Sequence, residues 1–547
     1  MPTTGHVAST FRLPPVVSVR FMGTETSVGY TTGSVGSTVG SGAGPGARPI
    51  SRRAALAGGA AGIGALLAAT VVPKARAART GGIEATDLEV VTVTPTSVTF
   101  GFASYTAPHP AYGPLRPTVP TLGEVALAPA DDPIVAADPV GSEAIAGPAG
   151  SWIRPGMPDL PVVASSDSET GFHLITVDGL EPGREYVFEC RCDGVPATPG
   201  LMTTNKPDSP EVSGRITTLT PPPGEHVATI AVLNDTHIGE EKHGLILGDF
   251  PEAIVQEPGL PPFPEVMLAA ALAEIRDRGV GRVFVNGDTT SEARPHEVRR
   301  FREIMDGFGT FGVDWHVTRG NHDRPHTPDA DPDAGYEDHP VLEGTDDHRD
   351  PWGEEFVPRQ TMWRTDVGGL RVIGLDSSML DESGGRIEDD QLAALESELA
   401  ADPNRPTLLL AHHPVTVEAA FTNVGTPAFT LNLDHSDRLQ RLLARTPGAF
   451  LMAAGHTHRA RRTAPDAATN VDFVEFGSAA GYPGGYTLIH LHTGGYRVNF
   501  HRTGSPEALH WSSRSRWAMY GLNPEYTLGS TAHRNYVVER DLSGLAP

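Results

Sequence analysis

The sequence predicts two folded regions: an all-β region over residues 84–220 and an α/β region with a central buried sheet over residues 227–503. In the first region apolar and polar residues alternate, as in "LEVVTVTPTSVTFGFAS", which is the pattern of half-buried strands. In the second region, strand-like runs such as "HVATIAVLNDTH" and "GRVFVNGD" are separated by helical stretches such as "EVMLAAALAEIRDRG". This alternation indicates an α/β fold, in which ligands gather beyond the carboxyl ends of the strands.

The first 77 residues have the composition of a leader and an export signal. Residues 1–50 are rich in Gly, Ser, Thr and Ala without apolar periodicity, so we expect them to be disordered. Residues 51–77 hold Arg52 and Arg53, a weakly apolar run and an "ARA" cleavage-like site, and so resemble a twin-arginine signal. We expect export by this route, giving a secreted or cell-envelope protein that meets the membrane only during export. A retained anchor is the alternative, and Met22 is an alternative start.

The charge of the chain limits its partners. The 547 residues include 67 acidic and 42 basic side chains, a formal net charge of −25. Such a chain repels polyphosphate backbones, which argues against nucleic acid as a partner. A small phosphate ester stays possible because a bound metal can dominate the local field. The two cysteines, Cys190 and Cys192, are too close for an unstrained disulfide, so we expect free thiols with a bridge as the alternative. No pattern indicates an oligomeric state.

In the first region, two strand-like runs flank a turn in "FHLITVDGLEPGREYVFECRCDG". The turn that begins at Leu180 and leads to Tyr186 resembles the tyrosine corner of fibronectin type III domains. That resemblance implies a fibronectin-like β-sandwich. The Pro/Ala-rich segment 106–165 fits such a domain poorly, so we expect large loops there. The stretch "TLTPPPGEH" (218–226) is typical of a hinge into the second region.

Five strand-like runs of the second region end in side chains that bind metals. Carboxylate oxygens and imidazole nitrogens together suit transition metals such as Mn, Fe or Zn. Each cluster alone is a weak signal, and only their common placement at strand ends makes the set specific. The clusters are Asp235 with His237, Asp288 after a glycine, Asn321 with His322 and Asp323, His412 with His413, and His456 with His458.

The motifs D-x-H, GD, GNHD, His before x-Pro and GH-x-H, in this order, resemble the calcineurin-like metallophosphoesterases over roughly residues 227–503. The text around them is closest in look to bacterial class III cyclic nucleotide phosphodiesterases and glycerophosphodiesterases. The resemblance implies a sandwich of mixed β-sheets flanked by helices, with two divalent or trivalent metal ions. It assigns one metal to Asp235, His237, Asp288 and His458. It assigns the other to Asp288, Asn321, His412 and His456, with Asp288 bridging. In the family motif the ligand stands two residues before proline, which selects His412 and leaves His413 as the alternative.

Purple acid phosphatases also place a metallophosphoesterase domain after a fibronectin-like domain. They have a tyrosine ligand three residues after the GD aspartate, where this chain has Ser291, and their first motif lacks the histidine found here at His237. The domain order therefore resembles purple acid phosphatases but the metal site does not. We expect no tyrosinate-to-iron colour.

Together with the export signal, the resemblance implies an exported dimetal phosphoesterase acting on a small phosphate ester, with a phosphodiester favoured. The implied reaction is in-line attack by a metal-bridging hydroxide, and His322 is the candidate proton donor to the leaving group. Asp323 either orients His322 or closes a turn. The alternatives are a phosphomonoesterase resembling acid phosphatases, or a surface-binding protein whose phosphoesterase domain is inert.

Four weaker features carry further interpretations. The acidic segment 324–356 is a solvated insertion, a lid over the site or the place of a helper metal. His243 is an exposed loop residue or lies near the substrate. The arginines Arg459, Arg461 and Arg462 end a solvated strand or attract phosphate. Residues 504–547 are expected to pack as a C-terminal extension without chemistry.

Overall fold

The structure is a computed structural model that describes thirteen parts of the chain. All of them belong to one unit, Pro49–Pro547. The predicted leader 1–50 and export signal 51–77 lie outside the described residues, as do residues 325–349 of the predicted lid. The described residues are 82–107, 118–136, 145–146, 152–153, 159–200, 209–243, 254–324, 350–356, 362–380, 382–466, 469–516, 518 and 524–545.

The first region contains ten described strands in two main antiparallel sheets. One sheet has the order β1-β2-β7 and the other β10-β8-β3-β6, with β9 beside β8 and a separate β4-β5 pair. Side chains from both sheets, including Val90, Phe100, Phe188 and Ile216, form a shared core. The strands are β1 (Ile83–Val93), β2 (Ser97–Thr106), β3 (Gly123–Pro129), β4 (Ile145–Ala146), β5 (Trp152–Ile153), β6 (Val162–Ser165), β7 (Phe172–Asp178), β8 (Glu185–Cys192), β9 (Val195–Pro196) and β10 (Arg215–Thr217).

The second region is built on two six-stranded sheets. Sheet I has the order β15-β14-β11-β22-β23-β24, and sheet II the order β16-β17-β18-β19-β21-β20. Its described strands are β11 (His226–Leu233), β12 (Lys242–His243), β13 (Ile254–Val255), β14 (Val283–Asn286), β15 (Trp315–Thr318), β16 (Met362–Val367), β17 (Leu370–Leu375), β18 (Thr407–Ala411), β19 (Ala449–Ala454), β20 (Arg461–Thr463), β21 (Asp472–Glu475), β22 (Gly485–His492), β23 (Gly495–Arg502) and β24 (Asn535–Glu539).

Helices cover the outer faces of both sheets. Helices α3 and α4 pack on sheet I around Leu268 and Phe301, and α6 and α8 pack on sheet II around Leu395 and Leu439. Between the sheets lies a third apolar layer that contains Phe284 and residues of both sheets. The helices are α1 (Pro133–Ala136), α2 (Pro210–Ser213), α3 (Phe263–Asp277), α4 (Pro295–Phe308), α5 (Pro351–Glu355), α6 (Asp389–Ala401), α7 (Val417–Thr422), α8 (Leu433–Ala444), α9 (Pro506–Ser515) and α10 (Thr531–Arg534). The predicted mixed sheets flanked by helices are confirmed.

Strand direction brings distant parts of the second region to one edge. In sheet I, β11, β14 and β15 run parallel, and in sheet II, β17, β18, β19 and β21 run parallel. Parallel neighbours end at the same side of a sheet, so the loops that follow them lie together. The side chains at these ends therefore come from a span of 224 residues, from Asp235 to His458.

Strand β1 joins the two regions. Residues 85–93 are buried on both faces, unlike β7, where buried and exposed positions alternate. One face of β1 belongs to the core of the first region and the other contacts the second region, because Thr92 Oγ1 donates to the carbonyl of Phe500 (2.6 Å). A buried carboxylate of β1 also bonds to the second region. Glu89 accepts from Tyr482 Oη (2.6 Å) and Arg502 Nη2 (2.7 Å).

The structure shows a hydrogen bond and two free thiols that match expectations for the first region. The backbone N–H of Glu181 donates to Tyr186 Oη (2.8 Å), which is the contact a tyrosine corner makes. Both Cys190 and Cys192 are buried free thiols, as expected. The fibronectin assignment itself stays a prediction, as do the domain limits. Among the described residues, no helix is both long enough and apolar enough to span a membrane.

We expect Glu89 to stabilise the protein in a pH-dependent way. Burial acts to raise the pKa of Glu89, but Arg502 and Arg516 outweigh it and lower this pKa from 4.5 to about 2. A carboxyl group with a lowered folded-state pKa stabilises the fold above its unfolded-state pKa. That stabilisation is lost as the pH falls towards the folded-state pKa. The loss amounts to about 3 kcal/mol, at about 1.4 kcal/mol for each pKa unit.

Urea unfolding of the wild type and of Glu89→Gln between about pH 6 and about pH 3 checks this. The difference in unfolding free energy between the two proteins is expected to shrink as the pH falls. The control Glu185→Gln removes an exposed ion pair with Arg215 and is expected to change the unfolding free energy by less than about 1 kcal/mol throughout. A difference for Glu89→Gln that stays constant with pH would contradict the assignment.

Candidate metal centre

The predicted ligands stand on a strained backbone at the carboxyl ends of the parallel strands. Five of the seven have positive φ angles, in the left-handed region that non-glycine residues rarely adopt. Each such residue costs about 1–3 kcal/mol and persists only where its surroundings hold it, which happens most often at functional sites. The five are Asp235 (53°), His237 (47°), Asp288 (49°), His456 (66°) and His458 (54°).

Two glycines let the ligand loops approach each other. A Cβ atom on Gly287 would lie 2.4 Å from Nδ1 of His412, across the gap between the two sheets. A Cβ atom on Gly320 would lie 2.1 Å from the backbone nitrogen of Asp288. Atoms cannot approach so closely, so only glycine fits at either position. The glycines of the GD and GNHD motifs are thus explained by contact.

One group of ligand atoms comprises Asp235, His237 and His458, all within 4.8 Å of one another. Nε2 of His237 lies 3.1 Å from Nε2 of His458, and Oδ1 of Asp235 lies 3.5 Å from the latter. These three residues come from the ends of β11 and β19, in different sheets. They are three of the four ligands predicted for the first metal.

A second group comprises Asp288, His412 and His456. Nε2 of His412 lies 3.2 Å from Oδ2 of Asp288, while its Nδ1 contacts the carbonyl of Asn286 (3.0 Å). That contact makes Nδ1 the protonated nitrogen of neutral His412 and leaves Nε2 with a lone pair for a metal. The Nε2 atoms of His412, His413 and His456 are buried, and none of them forms a hydrogen bond of acceptable geometry in the described part of the chain, although Nε2 of His412 lies close to Asp288.

Asp288 lies between the two groups. Its Oδ2 is 3.9 Å from Nε2 of His237 in the first group and 3.2 Å from Nε2 of His412 in the second. Its Oδ1 accepts from the backbone N–H of His322 (2.8 Å), in the same turn as the buried Asn321. Orphaned buried nitrogens, converging imidazoles and a central carboxylate fit a pair of transition-metal ions.

The two adjacent histidines have different surroundings. None of the three ligand groups found among the described residues contains His413. Its Nδ1 lies 2.9 Å from Oγ of Ser377, and its ring packs against the backbone of Gly385. The centre of the His413 ring lies 4.8 Å from that of His456, so His413 packs against a member of the second group.

His322 stands beside both groups. Its Nδ1 donates to the carbonyl of Ser291 (2.6 Å), and its ring lies 4.9 Å from that of His237. A third ligand group of His237, Asp288 and His322 places its imidazole at the metal edge. The position that is tyrosine in purple acid phosphatases thus orients His322 through a backbone carbonyl.

Asp323 does not contact the His322 side chain. Its carboxylate accepts from the backbone and hydroxyl groups of Thr289 and Thr290 and from the backbone N–H of Gly320. Of the two interpretations left open, the geometry favours the turn: Asp323 fastens the loop of Asp288 to the loop of Asn321.

The comparison with known families agrees with this geometry. Residues 228–460 match the family of calcineurin-like phosphoesterases. The chain contains a calcineurin-like phosphoesterase domain. The match starts within β11 and ends just after the last candidate ligand, His458.

Curated relatives of the phosphoesterase domain are bacterial. A probable glycerophosphodiester phosphodiesterase of Arcobacter nitrofigilis is 26% identical over 181 residues, which are 33% of this chain and 58% of that protein. A probable cyclic nucleotide phosphodiesterase of Synechococcus is 26% identical over 192 residues, 35% of this chain and 63% of that protein. The 3′,5′-cyclic adenosine monophosphate phosphodiesterase of Escherichia coli K12 is 25% identical over 240 residues, 43% of this chain and 71% of that protein. The chain therefore spans less than two thirds of the first two relatives.

Solved structures with some likeness include a dimetal phosphatase from Danio rerio, with a TM-score of 0.35 and 14% identity over 51% of this chain and 98% of that one. A purple acid phosphatase from yellow lupin has a TM-score of 0.38 and 13% identity over 84% of this chain and 75% of that one. Both TM-scores lie below 0.5, which is too weak a similarity to indicate fold or function.

Electrostatics prepare the histidines of the phosphoesterase domain as ligands. Burial lowers the pKa of His237 and His456 well below the usual range, and that of His458 to about 3, so these imidazoles are neutral. Burial also disfavours the charge on His412, but Asp288 outweighs it and raises the pKa of His412 to about 9. A cation at Nε2 of His412 would therefore compete with a proton.

Two weaker expectations were wrong. His243 is not an exposed loop residue, because its side chain is buried and its ring stacks on His458 at 5.8 Å. Arg459 does not end a solvated strand. It is 1% exposed and forms a buried ion pair with Glu475 (2.7 Å), because Glu475 is the last residue of β21, the strand next to β19. The expectation of solvation does hold in part for Arg461 and Arg462, which form half-exposed ion pairs.

Asn286 is a site residue that the sequence-based prediction missed. Its Nδ2 donates to the carbonyls of Ala411 (3.2 Å) and Ala453 (3.2 Å), and its Oδ1 accepts from Thr318 Oγ1 (2.9 Å). It therefore ties together the ends of β14, β15, β18 and β19. A polar residue in the otherwise apolar strand "VFVN" was the available signal.

We expect His412→Ala to lose one metal and His413→Ala to keep both. His412 belongs to a ligand group with Asp288 and His456, whereas His413 belongs to none of the ligand groups found among the described residues. Metal analysis after loading with Mn²⁺ and desalting checks this, and the two variants serve as matched controls for each other. Loss of a metal from His413→Ala alone would reverse the assignment.

Proposed function

We propose that this protein is a metal-dependent phosphoesterase that hydrolyses a small phosphodiester. The observation that carries the proposal is the placement of Asp288 between two ligand groups, each drawn from both sheets. A structural metal site needs no second group, and a carboxylate between two groups is typical of two-metal hydrolases. The relatives named as phosphodiesterases favour a diester over a monoester.

In this proposal Asp235, His237, Asp288 and His458 hold one cation, and Asp288, Asn321, His412 and His456 hold the other. When bound, such cations supply Lewis acidity to a phosphate ester and lower the pKa of water towards neutrality. The chain contributes a fixed arrangement of ligands, because the strained backbone and buried hydrogen bonds leave them little freedom. In-line attack on phosphorus, with inversion of configuration, is part of the proposal.

His322 protonates the leaving oxygen. Its Nδ1 is occupied by the carbonyl of Ser291, so Nε2 is the nitrogen that can pass on a proton. The side chain is half-buried, which leaves a path to a substrate, and the backbone N–H of His322 is fixed by Asp288. An acid at this position assists most when the leaving group is a poor one.

Export also belongs to the proposal. It rests on the twin-arginine-like residues 51–77, which lie outside the described part of the chain. The twin-arginine route carries folded proteins, which suits a protein that takes up its metals before it crosses the membrane.

Hydrolysis of bis(4-nitrophenyl) phosphate and of 4-nitrophenyl phosphate by Mn²⁺-loaded protein tests the proposed reaction. We expect the diester to have the larger kcat/KM, and both activities to disappear with a chelator and return with Mn²⁺. The control Asp288→Asn removes the central charge and is expected to abolish turnover. Faster hydrolysis of the monoester would favour a phosphatase, and no hydrolysis of either ester would favour an inert binding domain.

We expect His322→Ala to lower turnover by about 10²–10⁴-fold with a poor leaving group while two metals stay bound. Diphenyl phosphate and bis(4-nitrophenyl) phosphate differ mainly in leaving-group basicity, so the loss is expected to be larger for the former. The control His226→Ala changes an exposed histidine outside the site. An equal loss with both esters, or loss of metal, would contradict the role of His322 as a proton donor.

A further inference from the structure

The turn after β19 needs a restraint that its own backbone does not supply. His456 and His458 both have left-handed backbone angles and are separated by one residue. Two such residues together cost about 2–6 kcal/mol, so other contacts have to hold the turn in place. One of these histidines belongs to each of the two ligand groups. Whatever holds this turn therefore acts on both groups.

Side chains alternate along this turn. The histidines point into the ligand groups, whereas Thr457 and Arg459 point away from them to one carboxylate, Glu475. Thr457 Oγ1 donates to Glu475 Oε2 (2.5 Å), and Arg459 donates to Oε2 through Nε (2.8 Å) and to Oε1 through Nη2 (2.7 Å). Arg459 and Glu475 are each 1% exposed. This bidentate pair is fixed in both distance and orientation.

Arg459 also holds two segments outside the ligand loops. Its Nη1 donates to the carbonyl of Thr422 (2.6 Å) at the end of α7, and its guanidinium lies 5.4 Å from the ring centre of Tyr526. The next residue, Ala460, donates its N–H to the carbonyl of Thr527 (2.7 Å). The α7 segment continues to Phe429, whose ring lies 4.9 Å from that of His456.

We propose that Arg459, Glu475 and Thr457 are positioning residues that set the places of His456 and His458 and so tune both metal sites at once. Because Arg459 contacts both the end of α7 and residues 524–528, these two segments also help to fix the positions of His456 and His458. This inference rests on the proposed metal-dependent function. The C-terminal residues, for which the sequence suggests no catalytic role, help to position the ligands through the contacts of residues 524–528 with Arg459 and Ala460.

Mn²⁺ affinity tests the inference without any assay of turnover. Free Mn²⁺ is measured by electron paramagnetic resonance while metal-free protein is titrated. We expect Arg459→Met to weaken the binding of both ions by about 10–100-fold, which is the usual effect of removing a residue that orients metal ligands. The spin-coupled signal of the paired ions is expected to change as well, because the two ions no longer keep their spacing.

Arg371→Met is the matched control. Arg371 is also 1% exposed and bonds to Thr407 Oγ1 (3.0 Å) and the carbonyl of Glu398 (2.8 Å), but it lies at the amino ends of the strands. We expect it to lower the thermal stability of the metal-free protein and to leave Mn²⁺ affinity within about twofold. Equal weakening by Arg371→Met and Arg459→Met would overturn the inference, because general destabilisation would then explain both.

Thr457→Val decides the question if Arg459→Met does not fold. This nearly isosteric change removes the hydrogen bond to Glu475 and the longer one to the carbonyl of Gly455 (3.4 Å), and we expect it to weaken Mn²⁺ binding by about tenfold. Wild-type affinity in Thr457→Val would overturn the inference while the proposed function stands. A wild-type protein that binds no Mn²⁺ would overturn the proposed function and this inference with it.

Discussion

The amide of Asn286 is the interaction on which the metal centre depends. One side chain donates to β18 and β19 of sheet II and accepts from β15 of sheet I, while its own carbonyl contacts Nδ1 of His412. A carboxylate could not donate and a hydroxyl could not reach three strands, so an amide is the group that satisfies all of these partners. The apolar packing between the two sheets does not by itself specify their relative position to a fraction of an ångström.

Strain and rigidity balance each other around this amide. Left-handed residues destabilise the turns that carry the candidate ligands. Each of these turns is held in place by a buried polar group on the side away from the candidate metal sites. Asp323 holds the turns of Asp288 and Asn321, and Glu475 holds the turn of His456 and His458. In a dry environment such networks are strong only when every member is satisfied. The site is therefore preorganised by the protein, and metal binding need not supply the energy to assemble it.

The sequence predicted the elements of the second region because strand-like runs and helical stretches alternate with different periods. It also predicted that Asp235, His237, Asp288 and His412 lie close together, because strand ends can be recognised in the sequence and parallel strands end at the same edge of a sheet. It could not place His243 or Arg459, since their burial depends on segments that are distant in sequence, Phe263 with Trp511 in one case and Glu475 in the other. Local polarity suggests solvent for such residues, and only the three-dimensional packing shows otherwise. The prediction that β1 is half-buried failed for the same reason, because its outward face packs against the second region.

The first region is a structural part of the second rather than an attached module. Val91 of β1 accepts from Arg534 Nε (3.1 Å), and Arg534 Nη1 also donates to the carbonyl of Gly529 (2.8 Å), close to the backbone of Ala460. A short chain of buried contacts thus runs from β1 through the C-terminal segment to the turn that carries His458. The charges of Arg502, Arg516 and Arg534 face β1 and would lose their buried partners if the first region were absent. Without the first region these arginines and the apolar side chains that pack on Val91 would be exposed to water, so we expect the two regions to stabilise each other.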